Sequence, residues 1–237
     1  KTSRACQFAF AVLGGSCAQR GPLWWAGNHR HHHVASDTPD DAHSPLHGGF
    51  LWAHMGWFTS QTHFAPRLQN IPDIAKFPEL RFLDRFDSLV PLLAGVGMFG
   101  LGALLKAYAP GLGTSGPQML IWGFFLSTVL LIHASCTINS LAHLYGSQRY
   151  ETGDASRNNF LLALLTMGEG WHNNHHYYPA AARQGFYWWE IDMTYYVLKL
   201  MEGLGLVWDV KDVPLSAREG KRKQAASSSA SATREKP

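Results

Sequence analysis

Apolar residues in this chain are massed rather than spread. No Asp, Glu, Lys or Arg occurs from Ser88 to Leu105, and none from Ala107 to Gln148; Lys106 alone divides the two stretches. Crossing a bilayer core takes about 20 apolar residues in an α-helix. The runs 88–108 and 118–139 both qualify, and the uncharged, turn-rich stretch 109–117 (APGLGTSGP) lies between them. The pattern predicts a membrane hairpin over 88–139. A buried hairpin in a soluble protein is the alternative, disfavoured because two such runs in succession are unusual outside membranes. Gly95, Gly97, Gly100 and Gly102 leave little side chain on the first helix and permit close contact with the second. The run 5–19 is too short to span and predicts an interfacial, re-entrant or buried helix. Residues 155–169 read as a mixed helix. Residues 183–209 carry Trp and Tyr among scattered charges, the pattern of a helix lying in the membrane interface. The stretch 216–237 has almost no apolar bulk and predicts a disordered tail. The expected fold is all-α: an integral membrane protein in which a His-rich helical cap sits over a transmembrane hairpin, with a folded part over 1–215 and a tail over 216–237.

Charge adds orientation. A hairpin returns the chain to its starting side, so residues before 88 and after 140 share one compartment. These flanks hold 8 and 11 of the 20 basic residues, and the positive-inside rule places them in the cytoplasm. No basic run alternates with aromatic residues, so nucleic acid is not an expected partner. Three cysteines without a CxxC pair argue against a disulfide-stapled scaffold.

The candidate chemistry lies in the histidines, 13 in all. GNHRHHH holds His29, His31, His32 and His33; NSLAHLYG holds Asn139 and His143; GEGWHNNHH holds His172, His175 and His176. The spacing HxxHH therefore occurs twice, at 29/32/33 and 172/175/176. Positions i, i+3 and i+4 of a helix lie on neighbouring faces, so a short helix can aim imidazoles at one point. Asn139 and His143 are four apart at the end of the second span, on the side where both HxxHH clusters lie. A surface His run would explain one cluster but not three converging on one rim. HExxH is absent, no cysteine adjoins the clusters, and the ExxH motifs of carboxylate-rich di-iron bundles are absent. Seven matched histidines exceed what one metal with open positions needs. Two metals fit better, and a His-rich, thiolate-free site beside a membrane suits iron handling O2. His31 breaks the repeat and is not counted. His47, His54, His63 and His133 lack ligand spacing and read as structural. His43 and Glu169 are expected as outer partners of the ligands. No GxGxxG fingerprint follows a strand pattern, so electrons must come from another protein.

Taken in order, HRHHH, DAHSPLHGGFLWAHMGW, NSLAHLYG and GEGWHNNHH resemble the membrane-bound fatty acid desaturases. The likeness covers roughly residues 1–213 and is nearest the Δ9 acyl-CoA type in a bacterial form. It implies a desaturase domain over 1–215 that belongs to a four-helix membrane protein with its site facing the cytosol. It implies two irons and O2, with His29, His32, His33, His143, His172, His175 and His176 as ligands and Asn139 acting through a water. The implied reaction introduces a cis double bond into a long acyl-CoA, with acyl-lipid as a second carrier. The implied electron donor is a b-type cytochrome or a ferredoxin with its reductase. Trp24, Trp25 and Trp57 are expected as tunnel walls or interface aromatics, and Arg149, Arg157 and Arg183 as a docking surface for the donor. There are two departures. The family's earlier HxxxxH box is absent, which implies an N-terminally truncated chain that lacks the first helical hairpin and two ligands and is inactive alone. A basic pair expected just before His63 is replaced by Gln61 and Thr62, which weakens the case for CoA. The rivals are a membrane di-iron hydroxylase and a non-enzymatic His-rich metal-binding membrane protein.

Overall fold

The computed structural model describes residues 1–220. Among these no β-strand occurs, only isolated bridges such as Thr2 with Val207. The longest elements are α1 (Arg4–Ser16), α2 (Pro22–Ala35), α3 (Pro78–Arg85), α4 (Leu89–Tyr108) and α5 (Gly116–His143). Shorter helices follow: α6 (Phe160–Leu165), α7 (His172–Tyr177), α8 (Met193–Gly203) and the turn α9 (Leu215–Arg218).

The hairpin is α4 and α5. Each is long and apolar enough to cross a membrane, and only 11% and 6% of their most apolar windows are buried within the protein. Core helices of a soluble fold would be mostly covered, so this exposure fits lipid contact and disfavours the soluble alternative. Of the four glycines expected at the contact, Gly95 and Gly102 set the spacing, whereas Gly97 and Gly100 face open space. A Cβ on Gly95 would touch Phe124 at 3.3 Å, and one on Gly102 would lie 2.7 Å from the Ser115 carbonyl carbon and 2.8 Å from Met119 Cβ. Gly102→Val is therefore expected to destabilise the hairpin by about 1–3 kcal/mol. Gly97→Val is the control, because nothing lies within 4 Å of its Cβ position. A lower unfolding midpoint in SDS for the first variant, and not the second, checks this.

Helix α5 is not uniform. It widens to a π-helical stretch at Ile121–Leu126 and tightens to a 3-10 turn at Leu141–His143. Its end is fixed to the cap by Ile138 and Ala142 packing with Leu162 of α6. His54, on the π-helical stretch Trp52–Gly56, donates from Nδ1 to Ser140 Oγ at 3.0 Å and accepts at Nε2 from His133 Nδ1 at 3.0 Å. Both histidines have the structural role read from their spacing.

In the cap, Pro22 opens α2, where its fixed φ suits the first turn. Gly21 has no capping side chain, and Asp84 of α3 substitutes by accepting from Trp24 N–H at 2.7 Å. Helix α1 covers 4–16 and packs on the start of α4 through Gly15 and Val90.

Two expected helices are shorter than their patterns suggested. Of 155–169 only 160–165 is helical, because Asn159 caps it and Gly168 takes a positive φ beyond it. Of 183–209 only 193–203 is helical. The Asp192 carboxylate accepts from Gln184 N, Gly185 N and Tyr195 N, which ties 184–192 into a loop and caps α8. The expected tail falls mostly on 221–237, outside the described residues. Its first residues are ordered, since α9 buries Ala217 and Tyr150 and Tyr187 donate to the Arg218 carbonyl.

Candidate metal centre

Helix α2 carries His29, His32 and His33; the end of α5 carries His143; α7 carries His172, His175 and His176. The structure brings these seven imidazoles together as two groups. His32, His143, His172 and His176 form one, and His29, His33 and His175 the other, with ligand atoms within 4.8 Å of one another in each group. The facing atoms are Nε2 throughout. His32 and His176 approach to 3.3 Å, His143 and His172 to 3.1 Å, His29 and His33 to 3.2 Å, and His33 and His175 to 2.9 Å. Neither HxxHH cluster serves a single group. Each gives its i, i+4 pair to one group and its i+3 member to the other.

Carboxylates orient the four-imidazole group. Asp41 accepts from His32 Nδ1 at 3.0 Å, Asp37 from His143 Nδ1 at 2.7 Å and Asp154 from His176 Nδ1 at 2.7 Å. Each bond places the ring proton on Nδ1 and leaves Nε2 as a lone pair. Three lone pairs thus face one small space, and they repel unless a cation lies between them. Burial, followed by the neighbouring imidazoles, holds His32 and His172 well below the usual histidine pKa. A proton is therefore disfavoured as that cation, and the donor set fits a transition metal with outer carboxylate partners. In the three-imidazole group the Nδ1 atoms of His29, His33 and His175 have no carboxylate partner among the described residues.

The three aspartates are themselves held. Asp37 sits in the left-handed region at φ 56°. One of its oxygens accepts from His143 and from Ala155 N at 2.9 Å, and the other accepts from Ser44 Oγ at 2.7 Å. Asp41 also accepts from Asp37 N–H and His43 N–H. Asp154 accepts from Ser156 and Thr152. Burial is the largest single influence on each carboxyl and acts upward. The hydrogen bonds and facing imidazoles together outweigh it and keep all three ionised below the usual carboxylate range.

Helix α7 is too short to hold its register alone. Asn173 and Asn174, fully buried between His172 and His175, hold it. Asn173 Oδ1 accepts from Arg149 N and Tyr150 N, both at 2.8 Å. Asn174 N–H donates to Asn158 Oδ1, and its side chain donates to Glu190 Oε2. The aspartates and asparagines were missed in the sequence. The two amides inside HNNHH were a usable signal; Asp37, Asp41 and Asp154 stand at no ligand spacing.

Other expected residues fall as follows. His31 bonds the Asp40 carbonyl and belongs to neither group. His47 bonds the Asp37 carbonyl. His43 is buried against His32, with ring centroids 4.2 Å apart, and its Nδ1 has no hydrogen-bond partner among the described residues. Glu169 departs from expectation. Its carboxylate accepts from Gln184 at 2.7 Å and makes no hydrogen bond to His172 among the described residues. Burial pushes its pKa up, and nearby Asp192 adds to this. Arg149, Arg157 and Arg183 each bond within the protein, the first to a carboxylate and the other two to carbonyls that leave their charge in place. Arg149 pairs with Glu190 at 2.5 Å, Arg157 donates to the Gly146 carbonyl and Arg183 to the Gly185 and Tyr187 carbonyls.

A cavity of about 340 Å3 adjoins both groups. Its lining includes His29 from one group and His32 and His172 from the other, together with Asn139 and Glu169. Its walls are mostly apolar. Trp24 and Trp57, stacked at 5.3 Å, form part of them, and Trp25 lies on its exposed side.

Metal-free protein should lose stability in mild acid. Burial, with help from neighbouring imidazoles, lowers His29 to about 3 and His33 to about 4 from 6.5; burial also lowers His43 to about 4. Below 6.5 the unfolded chain takes up protons that the folded chain refuses. Stability is thus full above 6.5 and falls as pH drops toward about 4. Melts of the metal-free protein across this window check the direction.

The fatty acid desaturase family model matches residues 1–209. An acyl-CoA 5-desaturase from Anemone leveillei is 38% identical over 215 residues, covering 89% of this chain and 62% of that protein. A palmitoyl-monogalactosyldiacylglycerol delta-7 desaturase from Arabidopsis thaliana is 36% identical over 89% of this chain and 54% of its own length. An sn-1 stearoyl-lipid 9-desaturase from Anabaena variabilis is 37% identical over 85% of this chain and 70% of its own length. This chain thus spans somewhat over half the length of the first two relatives. The match over nearly the whole described chain shows that the chain belongs to the fatty acid desaturase family.

Proposed function

We propose that the protein functions in O2-dependent desaturation of a long fatty acyl chain at a di-iron centre. One observation carries this reading: a single, mostly apolar cavity is lined by imidazoles of both groups. An acyl chain held there lies beside both metal positions. His32, His143, His172 and His176 would hold one iron, and His29, His33 and His175 would contribute to the other. Asn139, whose side chain makes no hydrogen bond among the described residues, would act through a water.

Bound iron would supply O2 activation and hydrogen abstraction from unactivated CH2 groups, which no acid–base group can perform. The residues of the chain supply the rest. Asp37, Asp41 and Asp154 fix ring orientation. Trp24 and Trp57 bury the acyl chain and exclude water, each buried CH2 contributing about 0.8 kcal/mol. The site faces the cytoplasm in this proposal, supported by the basic flanks. The electron donor is a b-type cytochrome or a ferredoxin. CoA as carrier and position nine for the double bond are the specific form proposed; the relatives include acyl-CoA and acyl-lipid enzymes acting at positions 5, 7 and 9.

The test is product analysis in membranes of a host that supplies the electron donor. An acyl product short of two hydrogens, with unchanged carbon number, supports the reading. An acyl product with an added hydroxyl group overturns it in favour of a hydroxylase. Metal uptake without oxygen consumption overturns it in favour of a metal-binding protein.

A further inference from the structure

Helix α8 has two faces. Around its axis, Tyr195, Leu198 and Glu202 share the side packed on the protein, with Tyr195 buried. The opposite side carries Met193, Val197, Leu200 and Leu204, all exposed, with Leu200 and Leu204 at 64% and 66%. An amphipathic helix in water turns its apolar stripe inward. This one presents a second apolar stripe outward.

The stripe continues toward the membrane spans. Thr194 N–H donates to the Met167 carbonyl at 2.9 Å, so the start of α8 is fastened to the segment after α6. Met167 is exposed. Helix α6 packs inward through Leu162 against Ile138 and Ala142 of α5, while its other face exposes Leu161, Leu164 and Leu165. The exposed apolar surface therefore runs from the end of the second span across α6 and Met167 to α8.

We propose that this face of α6 and α8 lies in the headgroup–acyl boundary of the bilayer that the hairpin crosses. Continuity with the span identifies the occupant. The rim of α5 is already at lipid level, and the apolar side chains extend from it along the cap. Lys199 lies away from the stripe, nearer the packed side, where its ammonium pairs with Glu202. Leu165 and Met167 also line the cavity, so its rim is at lipid level in this arrangement.

The test uses the full chain reconstituted in vesicles of phosphatidylcholine and phosphatidylglycerol. With a lipid carrying a photoreactive group in its acyl tail, crosslinks should map to 161–167 and 193–204 as well as to the two spans. Crosslinks confined to the spans overturn the proposal. Single nitroxides on Val197→Cys, Leu200→Cys and Lys199→Cys, with Cys6 and Cys17 replaced by alanine, give an independent reading. Labels at 197 and 200 should lie about 5–10 Å into the boundary, more accessible to oxygen than to a water-soluble nickel chelate, with the reverse at 199. Equal chelate access at all three overturns the proposal. So does spin–spin broadening that vanishes on dilution with unlabelled chain, which would make the occupant a second copy. Neither measurement depends on the reaction, so its failure leaves the proposed function untouched.

Discussion

His176→Ala is expected to empty the four-imidazole position and to abolish any desaturation the protein performs. His176 contributes one of four converging Nε2 atoms and faces His32 at 3.3 Å. Its loss also strands Asp154, whose charge-assisted bond to Nδ1 is gone while Ser156 and Thr152 still donate to it. Removing an outer partner of a metal ligand typically costs about 10–100-fold in affinity, and removing the ligand itself should cost more. Metal analysis of the purified chain and product analysis in host membranes read the two effects. His31→Ala is the control. His31 lies one residue from His32, but it bonds the Asp40 carbonyl and belongs to neither group; both readouts should stay at their original level. Loss of metal in both variants alike would mean that the two groups are not metal positions.

Asp37→Asn should weaken metal binding about 10–100-fold with little change in fold. The charge of Asp37 fixes the tautomer of His143 from 106 residues away in the chain. Asparagine is nearly the same size and tolerates the left-handed φ of 56°, as few residues do. The substitution therefore removes the charge while leaving the backbone comfortable. An asparagine oxygen can still accept from His143 Nδ1, so ring orientation survives in part and the loss is smaller than for a ligand. Competition against a chelator of known affinity measures it. A fall in thermal stability without a fall in affinity would show that Asp37 serves only to pin the 36–44 loop.

The parts of this protein legible from sequence are those governed by neighbours in the chain. The span boundaries follow from hydropathy because a helix crossing lipid satisfies its own backbone and needs only apolar side chains outside. The Gly-rich contact between α4 and α5 was visible for a similar reason. The clustered histidines stood out because i, i+3 and i+4 spacing is a property of a single helix. Less visible were features in which a side chain from elsewhere competes with local pattern. Asp192 interrupts the expected helix over 183–209 by gathering the amides of Gln184 and Gly185. Arg149, Arg157 and Arg183 read as surface charge, yet each also bonds an internal carboxylate or carbonyl.

The sequence by itself determined the hairpin and the three histidine clusters, because each depends on spacing within one stretch of chain. Which imidazoles share a centre was decided only by the tertiary structure. On α2, His29 and His33 lie one above the other while His32 turns toward another face; on α7, His172 and His176 pair while His175 turns away. The crossing of α2 against α7 then exchanges the odd members, so His32 joins the α7 pair and His175 joins the α2 pair. Carboxylates from 37, 41 and 154 complete the four-imidazole group. Their distances along the chain carry no periodicity, since contact between folded segments rather than helical geometry puts them there.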